Sequence, residues 1–235
     1  MARETFQEEL DGLVDEVLEL GEEVHGTLSE MVRAMEGRDG SIAGREVGVD
    51  HRFKARGQEI DREVLLLQAR QAPVAKDLRL LYSVMSLANH MVRSGTLGEH
   101  ICHGLVETDG HERDEDLDEA LVEMAKTARN IFRQGLDIFK SRDIDGAKSL
   151  QATDDKVDLL YSEALNLIAN PSESGVGSPE WRMRAALMVH YLERIADHGV
   201  DIGGLTVFLT TGERIEDAMQ QYMERDIRDD VRDDE

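Results

Sequence analysis

One cysteine, three prolines and an aromatic content of 4% are what this 235-residue chain has least of. Cys102 stands alone, so no internal disulfide can form, which agrees with a reducing compartment. Scarce proline and aromatics, beside abundant Ala, Leu, Glu, Met and Arg, argue for long helices and against a many-stranded sandwich. No run approaches the roughly 18 uninterrupted apolar residues of a membrane span. The start, Met1-Ala2-Arg3-Glu4-Thr5-Phe6, turns acidic at once and has no apolar signal core. Together these absences predict a cytoplasmic protein with no direct membrane insertion. Catalytic signatures are missing too. There is no Gly-x-Ser-x-Gly, no zinc-ligand cysteine pair, no His-Glu-x-x-His and no Glu-x-x-His on the Glu193 helix. Gly203-Gly204 follows no strand and lacks the lysine of a phosphate loop, so it reads as a close helix contact.

What is abundant is negative charge. Fifty Asp and Glu face 27 Lys and Arg, a formal net charge of −23. Such a surface repels nucleic acid and anionic lipid, and no basic patch interrupts it. Lysine occurs only at positions 54, 76, 126, 140, 148 and 156. An acidic, Lys-poor, Arg-retaining surface suits a halophile's cytoplasm, where salt screens the self-repulsion. Hydrophobic residues still make up 40%, enough to bury a core.

The apolar residues fall in helical steps. Phe6, Leu10, Leu13, Val17, Leu20, Val24, Leu28, Met31 and Met35 mark one long amphipathic helix, stopped at Gly37-Arg38-Asp39-Gly40. A second helix is expected from a Ser41 cap to about Arg70. A third starts at Pro73, with Asp77 in its first turn, and ends near His103. The polar stretch from Glu107 to Glu115 is the best internal boundary. A fourth helix runs from Leu117 through Phe139 and breaks at Ser141-Arg142-Asp143. A fifth ends at Asn170-Pro171. After a loop by composition, Ser172 to Ser178, the sixth begins at Pro179.

This pattern repeats. Arg38-Asp39, Ala43, Asp50, Phe53 and Glu59 align with Arg142-Asp143, Ala147, Asp154, Val157 and Glu163 at one constant offset. Arg93, Gly98 and Ile101 align with Arg194, Gly199 and Ile202 at a slightly shorter one. The expected fold is all-α: two tandem three-helix bundles from one duplicated unit, six long helices in all. The boundaries are residues 1–108 and 109–213, followed by an acidic tail over 214–235.

In the second half Asp154-x-x-x-Asp158 lies on one helix and Glu193-x-x-x-Asp197-x-x-x-Asp201 on another. A spacing of four puts each set on one face, with Cβ atoms ~5–6 Å apart, and such like-charge pairs destabilise a helix by roughly 0.2–0.5 kcal/mol each. Apolar Leu192, Ile195 and Ala196 flank the Glu193 set, which places it near a bundle seam. Carboxylates clustered at a seam call for a compensating cation, either an arginine or a metal ion. Oxygen-only ligands suit magnesium, manganese or ferric iron, with zinc also open, and His190 and His198 could add a nitrogen. The competing reading is a solvated acidic face. Glu22, Glu23, Glu112 and Asp114 sit in polar surroundings and read as surface charge, and Cys102 reads as a buried thiol.

Three segments carry a resemblance to a known family: Arg3-x-x-Phe6-x-x-x-Leu10-x-x-Leu13, Gln71-Ala72-Pro73-Val74-Ala75-Lys76-Asp77-Leu78-Arg79, and Leu192-Glu193-Arg194-Ile195-Ala196-Asp197-His198-Gly199-Val200-Asp201-Ile202. They resemble the PhoU family of phosphate-transport accessory and regulatory proteins, from Phe6 to about Glu213. The resemblance implies two three-helix bundles, each with an acidic cluster able to hold a metal ion or a multinuclear metal cluster, and no catalysis. It implies a cytoplasmic adaptor that negatively regulates uptake through the phosphate-specific ABC transporter. The implied partners are the transporter's ATPase subunit and, in bacteria, a phosphate-sensing histidine kinase. Carry-over gives Asp154, Asp158, Glu193, Asp197 and Asp201 as the metal positions of the second repeat. The first repeat departs from the pattern. Val92, Thr96, His100 and Lys54 stand where Glu193, Asp197, Asp201 and Asp158 do, and only Asp50 survives, opposite Asp154. Metal is therefore expected in the second repeat alone. The rival function is a helical-bundle metalloenzyme or metal store. A homodimer is also expected, from Phe6, Leu10, Val207 and Phe208.

Overall fold

The computed structural model describes residues 2–151, 153–170 and 177–213, and the side chain of Asp154 lies outside that set, as do most of the 172–178 loop and the 214–235 tail. Every regular element in the described residues is helical. In chain order they are α1 (Ala2–Gly37), α2 (Gly40–Glu46), α3 (Asp50–Gln71), α4 (Lys76–Glu107), α5 (Glu115–Ser141), α6 (Ile144–Gln151), α7 (Asp154–Ala169) and α8 (Pro179–Thr211). The all-α, duplicated architecture is as expected. Helices α1, α3 and α4 pack together, as do α5, α7 and α8.

Two of the six expected helices are divided. The segment from Ser41 to Arg70 breaks at Val47-Gly48-Val49 into α2 and α3. Gly48 takes φ +84°, a left-handed conformation that glycine adopts at least cost. Its N–H donates to Oε1 of Glu99 on α4 at 2.9 Å, so a buried carboxylate secures the break. The equivalent segment in the second repeat divides into α6 and α7. The cap of α2 is Asp39, not Ser41: Asp39 Oδ1 accepts from the Ser41 and Ile42 amides at 2.8 and 3.3 Å. Helix α4 begins at Lys76, three residues after Pro73, because Ala72 and Ala75 both hold positive φ and cannot be helical.

The duplication survives at the level of single residues. Arg38 and Arg142 each take a left-handed conformation at a helix end, with φ of 48° and 60°. The aspartate after each one receives an amide of the following short helix, Asp39 from α2 and Asp143 from Gly146 at 2.9 Å.

Close contacts give the helix directions. Gly57 faces Val92 while Gly95 faces Phe53, so α3 and α4 are antiparallel. Gly21 meets Met91 and Gly98 meets Leu28, so α1 and α4 are parallel. Between the repeats, α1 lies antiparallel to α5, held by Glu22–Arg133 at 2.6 Å and Glu36–Lys126 at 2.7 Å. Helix α4 lies antiparallel to α8, with Tyr82 on Phe208, His100 on Tyr191 and Gly104 against Met188. The buried apolar side chains of both repeats join in one cluster through these seams. Of the positions named for a homodimer contact, Leu10 and Val207 are buried inside it, whereas Phe6, packed on it, and Phe208, edge-on to Tyr82, are only partly covered.

A second tie joins the repeats at the linker. Asp118, near the start of α5, is buried and accepts from Arg38 Nε at 2.7 Å and from Arg113 Nη1 at 3.2 Å. Arg113 in turn lies 4.4 Å over the ring of Trp181, a fully buried residue in the first turn of α8. Asp114 is not surface charge. It is buried and caps α5 by accepting from the Leu117 amide at 3.2 Å.

Candidate functional site

Helix α8 carries most of the residues singled out by spacing. Ser178 caps it by accepting from the Trp181 amide at 3.1 Å, and Pro179 occupies the first turn, where its missing N–H costs nothing. Its buried stripe includes Met188, Leu192, Ile195, Ala196 and Gly199. That stripe fixes the rotation of the helix and so decides where each carboxylate goes.

Gly199 sets how close α8 comes to α5. A methyl group on Gly199 would meet the Phe132 nitrogen at 2.7 Å, and one on Gly135 would meet the Gly199 carbonyl oxygen at 2.3 Å. The close contact expected of Gly203-Gly204 therefore lies one turn earlier; Gly203 has only ordinary van der Waals neighbours on α6.

Of the five expected metal positions, the Asp154 side chain lies outside the described set, and the other four have different surroundings. Asp158 is exposed on α7, and Glu193 and Asp197 are half-buried on α8. Glu193 Oε2 lies 3.4 Å from Nδ1 of His190. Asp201 turns away from these toward the α4 seam. Its Oδ2 stands 3.7 Å from Nδ1 of His90 on α4 and 3.9 Å from Nδ1 of His198 on its own helix. The two ring nitrogens are 3.2 Å apart. Among the described residues, His90, His198 and Asp201 form the one set of three ligand-type side chains that converges within 4.8 Å. The antiparallel crossing of α4 on α8 makes this set. His198 and Asp201 were legible from sequence, being one turn apart. His90 was not, since nothing local links it to a residue 108 positions away.

Burial pushes the His90 imidazole down to about 4, partly opposed by the Asp201 carboxylate. The His198 ring beside Asp201 holds that carboxyl below its usual range. At neutral pH the group is thus a neutral His90 facing a carboxylate.

The first-repeat equivalents have other uses. Lys54 pairs with Asp50 one turn before it, which lowers the Asp50 pKa and spends its charge. Val92 packs on Gly57, Thr96 Oγ1 donates to the Val92 carbonyl at 2.8 Å, and His100 rests on Tyr191. None of these contacts resembles a carboxylate cluster.

A PhoU domain profile matches this chain twice, over residues 17–104 and again over 121–206. The chain belongs to the PhoU family. The two PhoU matches coincide with the two helical repeats. A phosphate-specific transport system accessory protein PhoU homolog from Clostridium acetobutylicum is 25% identical over 217 residues, 92% of this chain and 99% of that one. PhoU homolog 1 from Mycobacterium tuberculosis is 29% identical over 178 residues, 72% of this chain and 77% of its own length. The crystal structure of the phosphate transport system regulatory protein PhoU from Streptococcus pneumoniae superposes with a TM-score of 0.80 at 25% identity, covering 89% of this chain and 98% of that one. PhoU from Pseudomonas aeruginosa has the same fold, with a TM-score of 0.79 at 23% identity.

Proposed function

We propose that this chain is a non-enzymatic accessory protein that restrains phosphate uptake when phosphate is plentiful, by docking on the ATPase subunit of the phosphate-specific ABC transporter. The observation that carries this reading is the PhoU match in both repeats, together with near full-length alignment to a phosphate-specific transport system accessory protein. The physical picture agrees. No described helix is long and apolar enough to cross a membrane, so influence on a transporter has to pass through a docked surface. The arrangement offers helix faces and ion pairs on which a partner can dock. A cytoplasmic location follows from such a partner. The net charge of −23 suits a cell interior rich in salt, where the screening length falls to about 3 Å at 1 M.

The acidic face of the second repeat belongs to the same reading. Helix α7 packs on α8, so Asp158 and the Glu193, Asp197 and Asp201 run lie on helices in contact. In this proposal Asp158, Glu193 and Asp197, with Asp154 at the start of α7, bind a hard cation through oxygen ligands, while Asp201 faces the α4 seam. Gene deletion tests the function. Phosphate uptake should stay high in phosphate-rich medium, and re-expression of the gene should restore repression. Normal repression in the deletion strain would refute the regulatory role. Re-expression of a Glu193→Ala/Asp197→Ala variant then separates the acidic face from docking: repression should return only in part.

A further inference from the structure

We propose that His90, His198 and Asp201 form a binding site for one divalent transition-metal ion of the zinc class, clamping the first repeat to the second across the α4–α8 seam. The site goes beyond the phosphate reading and does not depend on it. It shares only Asp201 with the acidic face of the second repeat.

Geometry is the first argument. The three facing atoms, His90 Nδ1, His198 Nδ1 and Asp201 Oδ2, are separated by 3.2, 3.7 and 3.9 Å. The point equidistant from all three lies about 2.1 Å from each, the length of a zinc–imidazole or zinc–carboxylate bond. Ligand atoms of a tetrahedral zinc ion are ~3.3 Å apart, so the side chains are close to their bound positions already.

The donor set is the second argument. Two imidazoles and one carboxylate select zinc, cobalt, nickel or copper over magnesium and calcium, which prefer oxygen alone. The carboxylate supplies the negative charge that imidazole ligands do not.

Burial supplies the third. The His198 side chain is only 8% exposed and its Nε2 is buried with no hydrogen-bond partner, so the polar contacts of the ring gather on the Nδ1 side, toward the cluster. The Asp201 side chain is 58% exposed. Metal can therefore enter from solvent, and a water can take the fourth position, as in three-ligand zinc sites.

The duplication adds a control inside the molecule. At the repeat offset that pairs Arg93 with Arg194, the counterparts of His90, His198 and Asp201 are Tyr191, Leu97 and His100. The antiparallel crossing brings these together as well, with the His100 and Tyr191 rings 5.7 Å apart. Those three counterparts include one imidazole and no carboxylate. The same backbone frame thus repeats the His-His-Asp set on one side only, and one imidazole-bound ion per chain is expected.

The test uses the full-length, metal-stripped protein, titrated with cobalt(II) and followed by visible ligand-field absorption. Zinc(II) is then added as competitor, and thermal unfolding is measured with and without zinc. One cobalt ion should bind with the strong absorption of a four-coordinate imidazole site, zinc should displace it, and millimolar magnesium should not. His90→Gln and Asp201→Asn should each weaken binding at least ~10-fold and remove the zinc-dependent rise in unfolding temperature. Asp201 is exposed, so Asp201→Asn carries the test should His90→Gln unfold. A Glu193→Ala/Asp197→Ala variant should keep the cobalt spectrum although it restores repression only in part. Absence of cobalt binding to the wild type would mean that the two rings share only a hydrogen bond, and would overturn the proposal. Wild-type affinity in both His90→Gln and Asp201→Asn would overturn it equally, as would loss of the spectrum in the Glu193→Ala/Asp197→Ala variant alone.

Discussion

Replacing Gly135 or Gly199 by alanine should destabilise this protein, although alanine is the better helix former. Both glycines lie inside helices, Gly135 in α5 and Gly199 in α8. In an unconstrained helix Gly→Ala gains about 1 kcal/mol. Here the added methyl at position 135 meets the Gly199 carbonyl oxygen at 2.3 Å, and at position 199 it meets Ile131 and Phe132 backbone atoms at 2.7–2.8 Å. Ordinary contact needs ~3.5 Å, so each methyl demands about 1 Å of separation. The obstructing atoms are backbone, and no rotamer change can relieve them. Helices α5 and α8 must move apart, loosening the seam along its length. Overpacking costs about 1–3 kcal/mol, with backbone clashes at the upper end. Against the propensity gain, a net loss of about 2 kcal/mol is expected for each variant. The double variant should lose less than the sum, because the first substitution has already parted the helices. Gly12 and Gly26 on α1 provide the opposite sign. A methyl there meets nothing within 4 Å, so alanine should stabilise by roughly 0.5–1 kcal/mol. Urea unfolding at fixed high salt, followed by helical circular dichroism, measures all four. Wild-type or greater stability in both Gly135→Ala and Gly199→Ala would refute the close-crossing argument.

Removing the buried carboxylate in Asp118→Ala strips Arg113 and Arg38 of their shared acceptor, and should cost about 3 kcal/mol in the same unfolding assay; a loss under about 0.5 kcal/mol would show that the two arginines find other partners. Cys102 is buried, and its thiol is pushed up to about 12 by desolvation with help from Glu46 and Glu99. It should resist iodoacetamide at pH 8 in the folded protein and take one equivalent in urea, both read by mass spectrometry; alkylation of the native protein at the rate of a free thiol would contradict that burial. With a net charge of −23, unfolding temperature should rise by roughly 5 °C between 0.1 and 2 M KCl, an increment worth about 2 kcal/mol. A flat or falling trend would show that self-repulsion is not what limits stability.

The sequence alone determined the helical class, the two repeats and the family. Each of these rests on information local to one helix or on comparison of one segment with another. Leu10, Leu13, Val17 and Leu20 step by three and four because one face of α1 is buried, and all four are. Arg38-Asp39 and Arg142-Asp143 advertise the duplication because each pair performs the same turn. Tertiary structure decided the rest. The break at Gly48 is secured by Glu99, 51 positions later, and no window centred on Gly48 contains that carboxylate. The spacing of four in Glu193, Asp197 and Asp201 reports neighbours on one helix surface but is silent about what that surface faces. Packing rotates α8 so that Asp201 meets His90 while Glu193 pairs with His190. Helix periodicity is written in the order of residues, whereas the meeting of α4 and α8 depends on which buried faces fit together once the chain has folded.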